Sequence, residues 1–282
     1  MEKLFFDRLL FVFALKPILM GFAGMAVAGL SFPLAGVIVL RNGLIPLRFM
    51  LMHGVLLAGV LSVAFGFPML LSAILINLVL VVLIVAFKKQ ARNLGASSSA
   101  VMVLTMAGAS LLAHALDVPA KDTLDLLWGS PFAMSFSDLA VLFAVSAILV
   151  LYCLTQYRKI TAVFFDSDVA LSVGVNIRLH HIAMIALTAL VIAVSMRIMG
   201  ALLLDSLLIL PVLSVSGSSC SVRSLFVRSA ACGFAISLAG YPIAVMADLP
   251  VSGVVSALAV LVYSVFRLAK ARQVAHQVRV RR

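Results

Sequence analysis

The sequence predicts an all-α polytopic membrane protein: a bundle of eight or nine transmembrane helices with one short helix in a cytoplasmic loop. Three observations carry this. Apolar residues make up 64% of the chain and charged residues only 11%, whereas a soluble domain has about a quarter charged residues. Runs such as 70–87, 139–154 and 182–194 approach or reach the length that crosses a hydrocarbon core about 30 Å thick. These runs are continuously apolar, without the alternation of a barrel strand. In lipid the backbone must pair internally, so they are helices.

The elements follow in order along 282 residues, which leave room for one membrane domain over 1–282 and no separate soluble one. The N-terminal stretch MEKLFFDRLLFVFALKP carries Glu2 and Asp7 and no small-residue cleavage site. It reads as an amphipathic lead-in helix rather than a removable signal peptide. Nine apolar segments come next: 18–40, 49–66, 69–87, 98–116, 139–156, 181–196, 199–216, 225–246 and 251–268. The sixth and seventh nearly fuse around Arg197–Gly200, and counting them as one broken element gives eight spans.

Charge orients the segments. Arg41 and Arg48, then Lys88, Lys89 and Arg92, then Arg158, Lys159 and Arg178, then Arg223 and Arg228, and finally the basic tail all fall on one side if nine segments cross. That side is cytoplasmic by the positive-inside rule. Residues 88–96, 157–180 and 269–282 are then cytoplasmic, and 117–135 and 247–250 external. Arg197, Lys3, Arg8 and Lys16 dissent. Topology thus accounts for most of the net charge of +11, and no nucleic-acid partner is implied. The tail KARQVAHQVRVRR is suited to anionic headgroups.

Pro17, Pro33, Pro211 and Pro242 lie within or at the ends of apolar runs. Such breaks survive in lipid where neighbouring helices or a wet cavity satisfy the freed backbone groups. Gly21, Gly24, Gly29, Gly54 and Gly59 permit close helix approach. No phosphate-binding GxxxxGK[ST] loop, HExxH, Ser/His/Asp set or paired catalytic carboxylates occur, so no enzyme active site and no intrinsic cofactor are expected. Cys153, Cys220 and Cys232 lack CxxC spacing and read as small buried hydrophobes.

The most informative polar stretch is YRKITAVFFDSDVALSVGVNIRLHH, residues 157–181. Asp166 or Ser167 is placed to N-cap a short helix through Asp168–Val173, and Gly174 to end it. A short helix presented to the cytoplasm between two spans suits docking.

Within it, DSDVALSVGV resembles the coupling segment of the bacterial ABC permeases that import zinc, manganese or iron, where an acidic residue, an Ala and a Gly recur at this spacing. On this resemblance Asp166, Asp168, Ala170 and Gly174 form the ATPase contact. Further matches come in the family's order. PLAGVIVLR (33–41) resembles the end of its first helix, LLWGS (126–130) its Leu-Phe-Gly-Ser stretch, and MGALLLDSLLILPVLSVS (199–216) its Gly-Ala-Leu-Leu…Pro segment, with Gly200 and Pro211 in place. ADLPVSGVVSA (247–257) resembles the start of its last helix, with Pro250 and Gly253.

One departure matters. The family follows its first Arg with Gly-Asp-Ala-x-Ser-His-Ala, whose Asp and His share a helical face in the metal path. Here the stretch is RNGLIPLRFMLMHGVLLAG: His53 remains, and Phe49 stands where the Asp would be. First-row metals prefer imidazole and carboxylate ligands, and one His is not a site. Asp205, inside a span, is the candidate replacement. Two main roles fit it: neutralisation by Arg197 or Arg48, or a place with His53 in a cation path. His114 near Asp117 reads as a surface residue, and His180 and His181 as cytoplasmic. Met50 and Met52 flank His53.

The resemblance implies a permease subunit of an ATP-binding-cassette importer in the bacterial inner membrane, moving a divalent zinc, manganese or iron ion inward. Its partners would be a cytoplasmic ATPase dimer that binds the ATP, an extracytoplasmic metal-binding protein, the lipid bilayer, and a second permease chain. That chain is identical or, as the missing Asp suggests, a non-identical homologue supplying the fuller site. The competing readings are an ion-coupled secondary transporter or channel built on Asp205, and a permease for a metal chelate.

Overall fold

The structure, a computed structural model, describes residues 15–87, 94–119 and 129–280. The lead-in stretch before Leu15, the basic residues 88–93, and residues 126–128 of LLWGS lie outside the described residues. The described residues contain helices and turns and no strand. We number the helices α1 (Lys16–Arg41), α2 (Ile45–Phe65), α3 (Met69–Phe87), α4 (Leu94–Ala115), α5 (Phe136–Thr155), α6 (Tyr157–Phe165), α7 (Ser167–Ser172), α8 (Ile177–Met199), α9 (Ala201–Ser216), α10 (Val222–Ala247) and α11 (Val251–Val280). A single 3₁₀ turn, Pro131–Ala133, precedes α5.

All nine apolar segments are helices, and the sixth and seventh are separate ones. Seven helices contain stretches long and apolar enough to cross a membrane. Met69–Val85 in α3 and Ala201–Ser216 are shorter apolar helices. The boundaries follow local chemistry. Pro17 and Pro46 sit in the first turns of α1 and α2, where their missing N–H groups cost nothing. Gly66 ends α2 in the left-handed conformation. Ser135 and Asp138 close a reciprocal capping box on α5, with N···O distances of 3.1 and 3.2 Å. Ser221 accepts from the Ser224 N–H at the start of α10.

Helices α1, α2 and α8 are buried over most of their length, whereas α4, α5 and α11 lie at the periphery. Helix α1 is the hub. It packs on α10, α5 and α9, and small residues set the approach. Pro33 deprives the Gly29 carbonyl of its helical donor. Gly233 of α10 backs onto that carbonyl, and a Cβ there would come within 2.5 Å of both the Gly29 oxygen and the Pro33 ring. The proline break is thus absorbed by a glycine on the facing helix. Gly36 lies directly against the Leu208 carbonyl of α9.

The α8–α9 junction lies inside the bundle rather than at its outer edge. Gly24, whose Cβ position is 3.5 Å from the Met199 methyl, is eight residues into α1. At 1.5 Å per residue, that puts the junction about 12 Å from the Lys16 end. Helices α8 and α9 are separate helices, turned against each other at Gly200 with φ 85° and ψ 162°.

The loop before α5 closes over this break. Gly129 packs on the backbone of Met199 and Gly200. Tyr241 sits between Phe22 and Phe132, with ring centroids 5.8 and 5.7 Å away, and donates to the Ile18 carbonyl at 2.8 Å. Arg197, a dissenter from the charge pattern, is paired with Asp138.

Candidate translocation path and coupling segment

Two partly uncovered helix faces meet at one ion pair. On α2, Ile45, Phe49 and His53 follow at four-residue spacing and remain exposed or half-exposed. On α9, Leu202 is exposed and Asp205 keeps 32% of its side-chain surface. Arg48, buried in the first turns of α2 rather than in the preceding loop, pairs through Nη1 with Asp205 Oδ1. Its guanidinium also stacks over the Phe49 ring, 4.2 Å from the centroid. Of the two arginines weighed for Asp205, Arg48 is the partner, and Arg197 is committed to Asp138. The carboxylate is neutralised yet still reaches the surface.

His53 is oriented by its own helix. Its Nδ1 lies 2.8 Å from the Phe49 carbonyl. A carbonyl can only accept, so Nδ1 carries the hydrogen, and in the neutral ring Nε2 keeps its lone pair. This is the arrangement by which a metal-ligating histidine is commonly fixed. No hydrogen bond links His53 to Asp205 among the described residues, and no group of three or more His, Cys, Asp or Glu side chains converges there. Met50 and Met52 are buried in the core, away from the exposed stripe.

The other sequence candidates separate. His180 is a core residue bonded to Tyr152, Oη to Nδ1 3.2 Å. His114 is exposed, as expected for a surface residue. Cys153 is buried and Cys232 half-buried, but Cys220 is exposed. The expectation of three buried thiols fails at Cys220 because it sits in the turn between α9 and α10. Pro211 is buried within α9. Pro250 accepts from the Val254 N–H at 3.1 Å as α11 begins, and Gly253 faces open space, with nothing within 4 Å of a Cβ.

The loop 157–181 holds two helices where the sequence suggested one. Asp166, not Ser167, is the N-cap of α7: Oδ1 accepts from the N–H groups of Asp168 at 2.6 Å and Val169 at 3.3 Å. Ala170 is fully buried beneath the turn, and Gly174 leaves it at φ +74°. Asp168 is exposed, as are Val169, Leu171 and Val173. Helix α6, absent from the sequence reading, is an amphipathic strut. Ile160 is buried, and Phe164 stacks on Phe226 of α10 at 6.4 Å. Its signal was the apolar spacing of Tyr157, Ile160 and Phe164. Phe165, 83% exposed, closes it. A cleft of about 780 Å³ lies beside α7, bounded by Val85, Leu171, Val175 and Arg178.

The arrangement has known counterparts. The ABC 3 transport family matches residues 15–270. The manganese import system permease protein ScaB of Streptococcus pneumoniae is 24% identical over 205 residues, 73% of each chain. The high-affinity zinc uptake system membrane protein ZnuB of Haemophilus influenzae is 33% identical over 91 residues, 32% of this chain and 34% of that one. The solved structure of PsaBC from Streptococcus pneumoniae in complex with Fab superposes with a TM-score of 0.80 at 18% identity, covering 93% of this chain and 95% of that chain. A family match across nearly the whole bundle, with the same fold, makes this chain a multi-pass permease of the bacterial inner membrane and not an enzyme: it belongs to the ABC 3 transport family.

Proposed function

We propose that this single-domain permease passes a divalent first-row metal ion, with manganese and zinc foremost and iron third, into the cytoplasm of an ATP-driven importer. The observation that carries the reading is α7, capped by Asp166, with exposed apolar residues around exposed Asp168. The chain has no nucleotide-binding loop of its own. It must therefore receive work through a contact, and a small rigid helix with an apolar, acidic surface suits a separate ATPase dimer. The names of the manganese and zinc relatives support the cargo.

His53 and Asp205 are the path residues in this reading. His53 Nε2 offers one ligand, and Asp205 a carboxylate already shared with Arg48. Low denticity favours conduction, since a closed four-ligand site traps zinc. With Phe49 covering Arg48, this chain is the ligand-poor half of the path. A second, non-identical permease chain supplies the other half, and an extracytoplasmic metal-binding protein delivers the ion to the outer face. An ion-coupled carrier built on Asp205 is disfavoured, because the chain belongs to the ABC 3 transport family.

Reconstitution with the ATPase and binding protein tests the whole reading. ATP-dependent uptake of manganese, zinc or iron into vesicles is expected. Uptake without the ATPase, driven by an ion gradient, sinks it. A single permease species at two copies per complex removes the hetero-pair alone.

A further inference from the structure

Asn77 stands out among the polar residues of the spans. It lies near the middle of α3, is 1% exposed, and neither Oδ1 nor Nδ2 has a hydrogen-bond partner among the described residues. Most other buried polar side chains here are satisfied. The hydroxyls of Thr188, Ser206, Ser214 and Ser237 donate to carbonyls of their own helices, and those of Ser31 and Ser146 bond each other across α1 and α5. An unpaired amide in the hydrocarbon region is costly, because no water competes to satisfy it. Leucine has the same number of side-chain heavy atoms and would fill the space without that cost. Nothing in the packing requires the amide.

Its surroundings suggest what it serves. The amide lies over bare backbone. A Cβ on Gly54 of α2 would stand 2.5 Å from Asn77 Oδ1 and 2.5 Å from a Leu80 methyl. Gly54 is midway along α2 and next in sequence to His53. The stripe of Ile45, Phe49 and His53, with Arg48 beside it, belongs to the same helix. At this level α2 has no side chain to interlock with α3, so the seam is smooth on one side and carries an unused donor and acceptor on the other.

We propose that Asn77 is a positioning residue of the transport cycle. The Asn77–Gly54 seam is where α2 shifts against α3, and the amide gains its main-chain hydrogen bond to α2 in the alternate conformation. The shift moves His53 and Arg48 together. A polar group kept unpaired in one conformation and paired in the other biases the equilibrium between them. This rests on the permease reading above.

The test compares wild type, Asn77→Leu and Asn77→Ala in the complete complex. Thermal stability in detergent, ATP hydrolysis and metal uptake are each measured. Asn77→Leu is expected to melt at the wild-type temperature or above it, since replacing an unpaired amide by an apolar isostere is neutral or stabilising. Its uptake is expected to fall about five- to tenfold, the factor that one lost hydrogen bond supplies. Asn77→Ala is expected to lose both stability and uptake. Wild-type uptake by Asn77→Leu overturns the proposal. So does an Asn77→Leu complex that melts earlier or fails to assemble, because the amide was then structural. Wild-type vesicles that take up no metal under ATP overturn the permease reading itself, and this inference with it.

Discussion

Gly129 of the loop before α5 rests on Gly200 at the break between α8 and α9, backbone against backbone. Both glycines belong to short motifs legible in the sequence, LLWGS and MGALLL, which lie seventy residues apart. Both have positive φ, 55° and 85°. With ψ 162°, Gly200 occupies a region essentially closed to other residues. Gly129 needs glycine for conformation and for contact, and Gly200 for conformation. Gly200→Ala should therefore destabilise the protein by about 1–3 kcal/mol from backbone strain. Thermal unfolding in detergent reads this. An unshifted melting temperature would mean that the break is not held as described.

The ion pair between Arg48 and Asp205 makes a second prediction. Removing one partner strands the other charge. Asp205→Asn leaves the buried Arg48 guanidinium uncompensated, a loss of about 3–5 kcal/mol for a fully buried pair and less here, where the carboxylate is partly exposed. The double variant Arg48→Met with Asp205→Leu should recover most of that stability. Uptake by the double variant then separates the two roles of Asp205. Restored assembly with lost uptake places the carboxylate in the path. Restored uptake makes the pair structural only.

His53→Ala should leave stability near wild type, because the side chain is half-exposed and bonds only a carbonyl of its own helix. Uptake should fall while the amount of assembled complex holds steady. Equal uptake rates in vesicles of matched protein content would reduce His53 to a surface residue. A parallel Phe49→Asp variant restores the carboxylate that the resemblance leads one to expect, one helical turn from His53. It also places an anion beside Arg48, in competition with Asp205.

How much of this was legible beforehand divides along a physical line. Hydropathy found all nine apolar helices, seven of them long and apolar enough to cross a membrane, and the Gly200 break between the sixth and seventh, since lipid solvation is written residue by residue. Cap chemistry found α7, with Asp166 and Gly174 in place. What was missed depended on tertiary packing. Arg48 was placed between the first two segments and named with Arg197 as a candidate partner of Asp205, but which arginine takes that role depends on packing between helices. The depth of the α8–α9 break was invisible because a short apolar segment does not say where in the bilayer it begins. Helix α6 was missed because its apolar face is only three residues long. Asn77 drew no notice, since an amide looks unremarkable until its neighbours are known to offer it nothing.

The coupling segment yields a prediction with a local and a remote arm. Asp166→Ala removes the cap that holds the first turn of α7 and should loosen that helix by about 1 kcal/mol. Asp168→Lys leaves the cap intact and changes only an exposed charge. Both should weaken ATPase association or uncouple hydrolysis from uptake, with membrane insertion unaffected. Co-purification of the ATPase and uptake per ATP hydrolysed give the readout. Normal coupling in Asp168→Lys would remove this surface from the docking contact.

The last prediction concerns sidedness, on which the coupling assignment depends. The positive-inside pattern places the turn between α9 and α10 in the cytoplasm, with Arg223 and Arg228 flanking it. Cys220 lies in that turn and is exposed, whereas Cys153 is buried and Cys232 only half-exposed. The native protein therefore carries its own reporter. A membrane-impermeant maleimide should label Cys220 in inside-out vesicles and spare it in intact cells, and Cys220→Ser should abolish the signal. With that thiol removed, Phe165→Cys supplies a second reporter at the most exposed large apolar residue of the coupling region. It should label from the same side, because α8 and α9, which separate it from Cys220, carry the chain across and back in the nine-segment arrangement. Labelling of either position from outside the cell would invert the bundle and place α7 beyond the reach of any cytoplasmic ATPase.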